Sequence, residues 1–162
     1  MNEFDIVLNV TEQSIVRFIA EERNRNKQEE GIKDRKYDSA DNPVDLNLEG
    51  FGAEFAFCKW ENVFPDFAIH NFSGGWDALD KWNRRVDVKW SKTNFLLAPE
   101  HKKLGSCDIY VLIKGNFPKY RIVGWCEEAE LLSEKNLKDW FNKGKVGYGI
   151  PMEQLKNMWS NI

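Results

Sequence analysis

The sequence predicts a mixed α/β fold, α+β in character, with hairpin-linked strands in the middle of the chain and helices gathered at its two ends. Three observations carry this. Residues 76–126 hold five runs with strand character, two of them joined by the short turn 80–83. Helical periodicity precedes them over 12–30 and 50–63, and a helix start signal follows at Ser133. The chain has 162 residues, 42% hydrophobic and 30% charged, enough for one domain with its own core.

Residues 4–10, FDIVLNV, alternate and are rich in Ile and Val, so they predict a short strand. Thr11 is the expected N-cap of a helix over 12–30, with Ile15, Phe18 and Ile19 at helical spacing and Gly31 as its stop. Residues 32–48, dense in Asp, Ser, Asn and Pro, predict a loop. Phe51, Phe55 and Cys58 mark one face of a helix over 50–63, where Ala53 and Ala56 allow close packing before Pro65 ends it. Asn71, Ser73, Gly74 and Gly75 predict another loop. Strands are then expected over 76–79, 85–91, 94–98, 108–114 and 120–126, with turns at 80–83 and 115–118. A helix capped by Ser133 should cover 134–143, and Pro151 should open a last one over 152–159.

Cys58, Cys107 and Cys126 are odd in number and far apart, which argues against a zinc knuckle or a disulfide framework and for buried thiols in a reducing compartment. The N-terminus lacks a basic segment followed by a long apolar run, and no stretch has the length of a membrane span, so a soluble, cytoplasmic protein is expected. Net charge is −3, but its distribution is uneven. Lys81 to Trp125 holds ten basic residues against three acidic ones, a net of +7, which leaves −10 for the rest. A basic segment in an acidic chain is what a one-sided polyanion-binding face requires.

The segment WDALDKWNRRVDVKWS, 76–91, concentrates the candidate chemistry. Period two places Asp87 and Lys89 on one face of a strand and Val86, Val88 and Trp90 on the other. A hairpin can bring Asp77 opposite Asp87, so two carboxylates and an ammonium converge. Phosphodiester hydrolysis uses such a set: carboxylate oxygens hold Mg²⁺, and a lysine positions or deprotonates the attacking water or neutralises transition-state charge. Glu54, in the small-residue helix GFGAEFAF, adds a third carboxylate. Arg84, Arg85, Lys92, Lys102 and Lys103 are the expected nucleic-acid contacts, and Trp82 and Trp90 are expected to pack rather than stack on bases. Glu61 and Asp66 are expected to face solvent, Asp108 to pair structurally, and His70 and His101 to lie on the surface.

These residues resemble the pattern of the PD-(D/E)XK nuclease superfamily, the restriction-endonuclease-like fold. The pattern maps as Glu54 in GFGAEFAFCKW, Asp77 in GGWDALD, and Asp87 with Lys89 in RRVDVKW; CDIYVLIKG and YRIVGWC look like its later core strands. The likeness covers roughly 45–130 and looks closest to small nucleases of phage genomes. It implies a four-stranded mixed sheet flanked by helices, within one nuclease domain spanning 1–162. A helical extension over about 1–48 and a helical segment over about 133–162 would flank the core. It further implies one or two Mg²⁺ ions, replaceable by Mn²⁺, on Asp77, Asp87 and the backbone carbonyl of Val88. Glu54 would bind directly or through water, and Lys89 would act on the water. DNA is the implied partner, and a homodimer would suit cleavage of both strands. The chain departs from the pattern in having Trp76 where the Pro stands. Asp80 competes with Asp77 for the first position; Asp77 is preferred because Asp80 falls in the turn. The alternative is a non-catalytic nucleic-acid-binding or interaction protein on the same fold.

Overall fold

A computed structural model describes residues 2–31, 42–69 and 75–159. Strand β1 (Asp5–Val7) leads into helix α1 (Val10–Glu29). The N-cap is Asn9, not Thr11. Its Oδ1 accepts the Glu12 amide at 2.9 Å, and Glu12 Oε2 accepts the Asn9 amide at 2.7 Å. This capping box satisfies two amides that a helix start would otherwise leave unbonded. Val16, Ile19 and Ala20 are buried, whereas Phe18, expected beside Ile19, is 58% exposed.

Helix α2 (Pro43–Glu61) starts earlier than expected, so 43–48 is helix and not loop; 32–41 lies outside the described residues. Asn42 caps it by accepting the Val44 amide, and Asn62 ends it in the left-handed conformation with φ of 58°. The helix packs Phe51, Ala53, Phe55, Ala56, Phe57 and Cys58 into the main core. Gly52 admits the Tyr120 ring: a Cβ there would lie 2.1 Å from its hydroxyl oxygen.

The strands β2 (Ala78–Leu79), β3 (Arg85–Trp90), β5 (Ile109–Asn116) and β6 (Lys119–Glu127) join β1 in a five-stranded mixed sheet ordered β1-β6-β5-β3-β2. Only the β3–β5 pairing in it is parallel. β5 is the central buried strand, with Ile109 to Ile113 all at most 2% exposed, which requires cover on both faces. α2 covers one face, over Val86, Val88, Val111 and Ile113. The other face carries Tyr110, Leu112 and Cys126, against Leu96, Ala98 and Ile150. Those last residues come from a second sheet, ordered β4-β8-β7, of β4 (Phe95–Pro99), β7 (Leu137–Lys138) and β8 (Gly147–Pro151).

That second sheet replaces much of the expected C-terminal helix. A four-residue helix α3 (Glu128–Leu131) follows β6, and the segment expected as helix over 134–143 is a 3-10 turn at Glu134–Asn136 followed by β7. Two tertiary and local effects override helix propensity here. The Asp139 carboxylate accepts the amides of Lys143 and Gly144, which closes a turn. Trp140 donates its indole N–H to the carbonyls of Asn136 and Gly147, and its ring lies where a Cβ on Gly149 would be. Likewise 152–159 holds only a 3-10 turn, Met152–Gln154, before Lys156 bridges to Trp125. Among the described residues no helix is long and apolar enough to cross a membrane.

Candidate functional site

The strand β3 delivers Asp87 and Lys89 to one face, as period two requires. Parallel pairing with β5 sets Asp87 beside Tyr110 and Lys89 beside Leu112. That face is covered by the second sheet, so Asp87 is 3% exposed and does not project into open solvent. A buried carboxylate needs compensation. Lys89 Nζ lies 2.5 Å from its Oδ1, and Lys102 Nζ lies 3.1 Å from its Oδ2. Oδ1 has the Lys89 charge beside it but no hydrogen bond of good geometry.

Asp77 precedes β2, and its amide donates to the Val86 carbonyl at 2.8 Å. Its carboxylate accepts the Val88 amide at 2.7 Å. The hairpin therefore ends its backbone ladder at Asp77 and continues it with a side chain. A strand residue's amide and carbonyl leave the backbone on one side, so the Val88 carbonyl lies on the same edge as Asp77. Glu54 comes from α2, with Oε2 at 3.3 Å from Arg23 Nη1. Arg23 also donates to the carbonyls of Asp66 and Ala68 and lies over the Phe51 ring, which ties α1 to this corner.

Of the four residues expected from the sequence, Asp87 and Lys89 are in contact, Asp77 lies across the hairpin from them, and Glu54 stands near enough for its charge to act on theirs. Desolvation raises the Glu54 carboxyl above its ordinary value; Arg23 opposes this, and Asp87 adds to it. Asp77 is raised well above the usual range by burial, then by Glu54 and Asp87. Burial opposes charge on Lys89, but Asp87, Asp77 and Glu54 outweigh it and hold the ammonium above its usual value. Lys89 is accordingly a fixed positive charge in this arrangement, not a free base.

Asp80 is also buried, but it belongs to the turn. Its carboxylate accepts the amides of Trp82 and Arg84 and pairs with Arg84 Nε at 2.6 Å. This separates it from Asp77, the carboxylate that faces Glu54 and Asp87.

The expected nucleic-acid contacts divide. Arg84 is held by Asp80 and lies over the rings of Trp82, Trp125 and Trp159 at 4.6–5.2 Å. Arg85 meets both Asp108 oxygens and donates to the Gly105 carbonyl. Both guanidiniums are thus engaged in structure, and they line a separate cleft of about 450 Å³ that none of the four site residues touches. Lys92 lies 5.9 Å from the Trp90 ring centre, Lys103 is exposed, and Lys102 is part of the site itself. Asp108 pairs as expected, and Asp66 accepts the Ala68 amide. Glu61, expected in solvent, is 4% exposed, accepting the Lys81 amide and the Trp159 indole N–H. His101 is exposed; His70 lies outside the described residues.

Two contributors carry no sequence signal. Arg23 stands on a distant helix, and nothing in its spacing announces Glu54. Glu128 accepts the amides of Gly105, Ser106 and Cys107 and the Ser106 hydroxyl. Burial pushes its carboxyl upward, but these donors prevail and hold it below its ordinary value. Through them it shapes the loop that carries Lys102. The three cysteines are free and buried, and burial pushes each thiol up to about 12.

Among the described residues no group of three or more His, Cys, Asp or Glu side chains is arranged to hold a metal ion. Each of the three carboxylates has another partner: Glu54 meets Arg23, Asp77 the Val88 amide, and Asp87 two lysines. The donor chemistry nevertheless suits a hard cation. Glu54, Asp77 and Asp87 offer only oxygen, and burial, with repulsion from neighbouring carboxylates added to it, raises the first two. Mg²⁺ takes one or two carboxylates and keeps water in its other positions, so it does not need an all-protein cage. Compared with known proteins, the chain matches no family model, no curated protein and no solved structure at a significant level.

Proposed function

We propose that this chain is a Mg²⁺-dependent nuclease that hydrolyses phosphodiester bonds of DNA. The observation that carries the reading is the placing of Asp77 and Asp87 across one hairpin with Lys89 on Asp87, and Glu54 near enough for its charge to act on Asp77. Three carboxylates near one another in a corner where Asp87 is buried and Glu54 and Asp77 are half-buried are costly for stability alone, and such groupings cluster at functional sites. The strands β2, β3, β5 and β6 support the same reading. They are four adjacent strands of mixed direction with α2 on one face, in line with the mixed sheet the resemblance implies, although the second sheet and not the expected helices covers the other face.

Asp77 and Asp87 would hold the ion, with the Val88 carbonyl on the same edge and Glu54 reaching it directly or through water. When bound, Mg²⁺ supplies an acidified water and a polarised phosphoryl oxygen. The protein's own residues do the rest. Lys89, in contact with Asp87, would offset charge on the phosphate as bonds rearrange. Arg23 restrains Glu54 at the site edge. The exposed Lys103 is available to the DNA backbone beyond the reacting group.

A second reading, a non-catalytic nucleic-acid-binding or interaction protein, is favoured by one observation: Asp87 is already neutralised by two lysines. Nicking of supercoiled plasmid by the full chain separates the two. The nuclease reading expects cleavage in Mg²⁺, none in EDTA, and loss of cleavage in Lys89→Ala with cooperative melting retained. A folded wild type that leaves plasmid intact in both Mg²⁺ and Mn²⁺ decides for the second.

A further inference from the structure

The ion pair between Lys102 and Asp87 links residues from separate elements. Asp87 stands inside β3, whereas Lys102 sits in the loop after β4. That loop is anchored on both sides of the lysine. The Lys102 amide donates to the Pro99 carbonyl at 3.0 Å, and Glu128 holds 105–107 by their amides. The backbone is therefore fixed where it presents Lys102, and the side chain alone can release the carboxylate by rotating. The lysine stem is flexible and its ammonium has no preferred plane, so such an exchange needs no refolding of the loop.

Even with all three carboxylates ionised, Arg23, Lys89 and Lys102 already match Glu54, Asp77 and Asp87 in charge. A divalent cation added to that set leaves an excess of two positive charges in a partly buried space, which is unfavourable unless a cation withdraws. Arg23 is held by two backbone carbonyls as well as Glu54, and Lys89 projects from the sheet itself. Lys102, holding Asp87 Oδ2 from a loop, is the cation that can leave.

We propose that Lys102 is a tethered cation that keeps the divalent ion's place on Asp87, so that ion and lysine compete for one carboxylate. This rests on reading Asp87 as a metal ligand. It deepens that reading by making the site self-plugged in the absence of metal.

The test is Mn²⁺ titration by calorimetry on the full chain and its Lys102→Ala, Lys102→Gln, Lys103→Ala and Asp87→Asn variants, each checked for folding by circular dichroism. Lys102→Ala and Lys102→Gln should bind Mn²⁺ about tenfold more tightly than wild type, the scale of removing one charge-assisted hydrogen bond from the competing state. Lys103→Ala removes the same charge one residue away at an exposed position and should stay within about twofold. Binding to Lys102→Ala alone, with none to wild type, would show the plug to be complete and supports the proposal. Equal affinity in wild type and both Lys102 variants overturns it. So does an equal gain in Lys103→Ala, which would make the effect one of general charge. Either result leaves the metal reading standing if Asp87→Asn abolishes binding. No Mn²⁺ binding to any of the proteins overturns both.

Discussion

Asp80 and Asp87 lie on the same hairpin and both are buried, yet their surroundings differ in kind. Every donor that meets Asp80 belongs to its own turn or to Arg84, and the aromatic rings around Arg84 complete a closed structural unit. Asp87 has a neighbouring carboxylate across the hairpin, another from α2, and two lysines from different elements. One carboxylate is used to close a turn. The other is held in a cluster of opposed charges that turn geometry does not need. Burial and an ion pair alone do not single out a candidate acid, since Asp80 has both; like charges that the fold has no local reason to bring together set Asp87 apart.

The largest expected effect falls on the structural corner. Asp80→Ala leaves Arg84 partly buried without its carboxylate and two turn amides without an acceptor. Denaturant unfolding should report a loss of about 3 kcal/mol, the scale of breaking a buried pair from one side. A loss within about 0.5 kcal/mol, the usual size of a surface change, would erase the contrast between the two acids.

Glu128→Gln comes next. The amide replaces an acceptor that meets four donors, and unfolding should report a loss of about 2 kcal/mol. Because the Glu128 carboxyl is held below its ordinary value, its contribution is present above the unfolded carboxylate value. It is lost as pH falls through the folded value. Wild type and variant should therefore converge in strong acid. A difference that stays constant down through that window would mean the charge is not what orders the loop.

The candidate site predicts the opposite sign. Asp77 is raised, so in EDTA its ionisation costs stability that is present below the unfolded value and lost as pH rises through the folded one. In EDTA the protein should lose stability as pH rises from the unfolded carboxylate value through the folded Asp77 value, and Asp77→Asn should flatten that fall. Asp77→Asn should also weaken stabilisation by Mg²⁺, while Asp80→Asn should leave it intact. The reverse result, read by thermal melting, would assign the ion to Asp80.

Much of this corner is legible in the sequence. RVDVKW reads as a strand, period two joins Asp87 to Lys89, and the turn 80–83 brings Asp77 back across. Each of these steps is local along the chain. What is not legible is long-range. The second sheet covers the face that carries Asp87, Lys102 reaches it from another loop, and Arg23 meets Glu54 from a different helix. The same limit explains the C-terminus. Ser133 and Gly144 bracket a stretch that looks helical, but Asp139 and Trp140 find better partners in a turn and in β8. Arg84 and Arg85 count as positive charge in composition, and only the fold reveals their carboxylates.

The smallest predicted effect tests what remains of the basic face. Lys103→Ala should flatten the log–log salt dependence of DNA binding by about 0.9, the value of one phosphate contact on duplex DNA. An unchanged slope would show that this loop points away from the substrate.

The most direct measurement is a crystal of the full chain soaked in Mn²⁺, with the ion located by its anomalous scattering. The account predicts one peak between Asp77 and Asp87, on the edge shared with the Val88 carbonyl, with the Lys102 ammonium withdrawn from Asp87. A crystal in which Mn²⁺ is bound elsewhere, with both lysines still on Asp87, would contradict it.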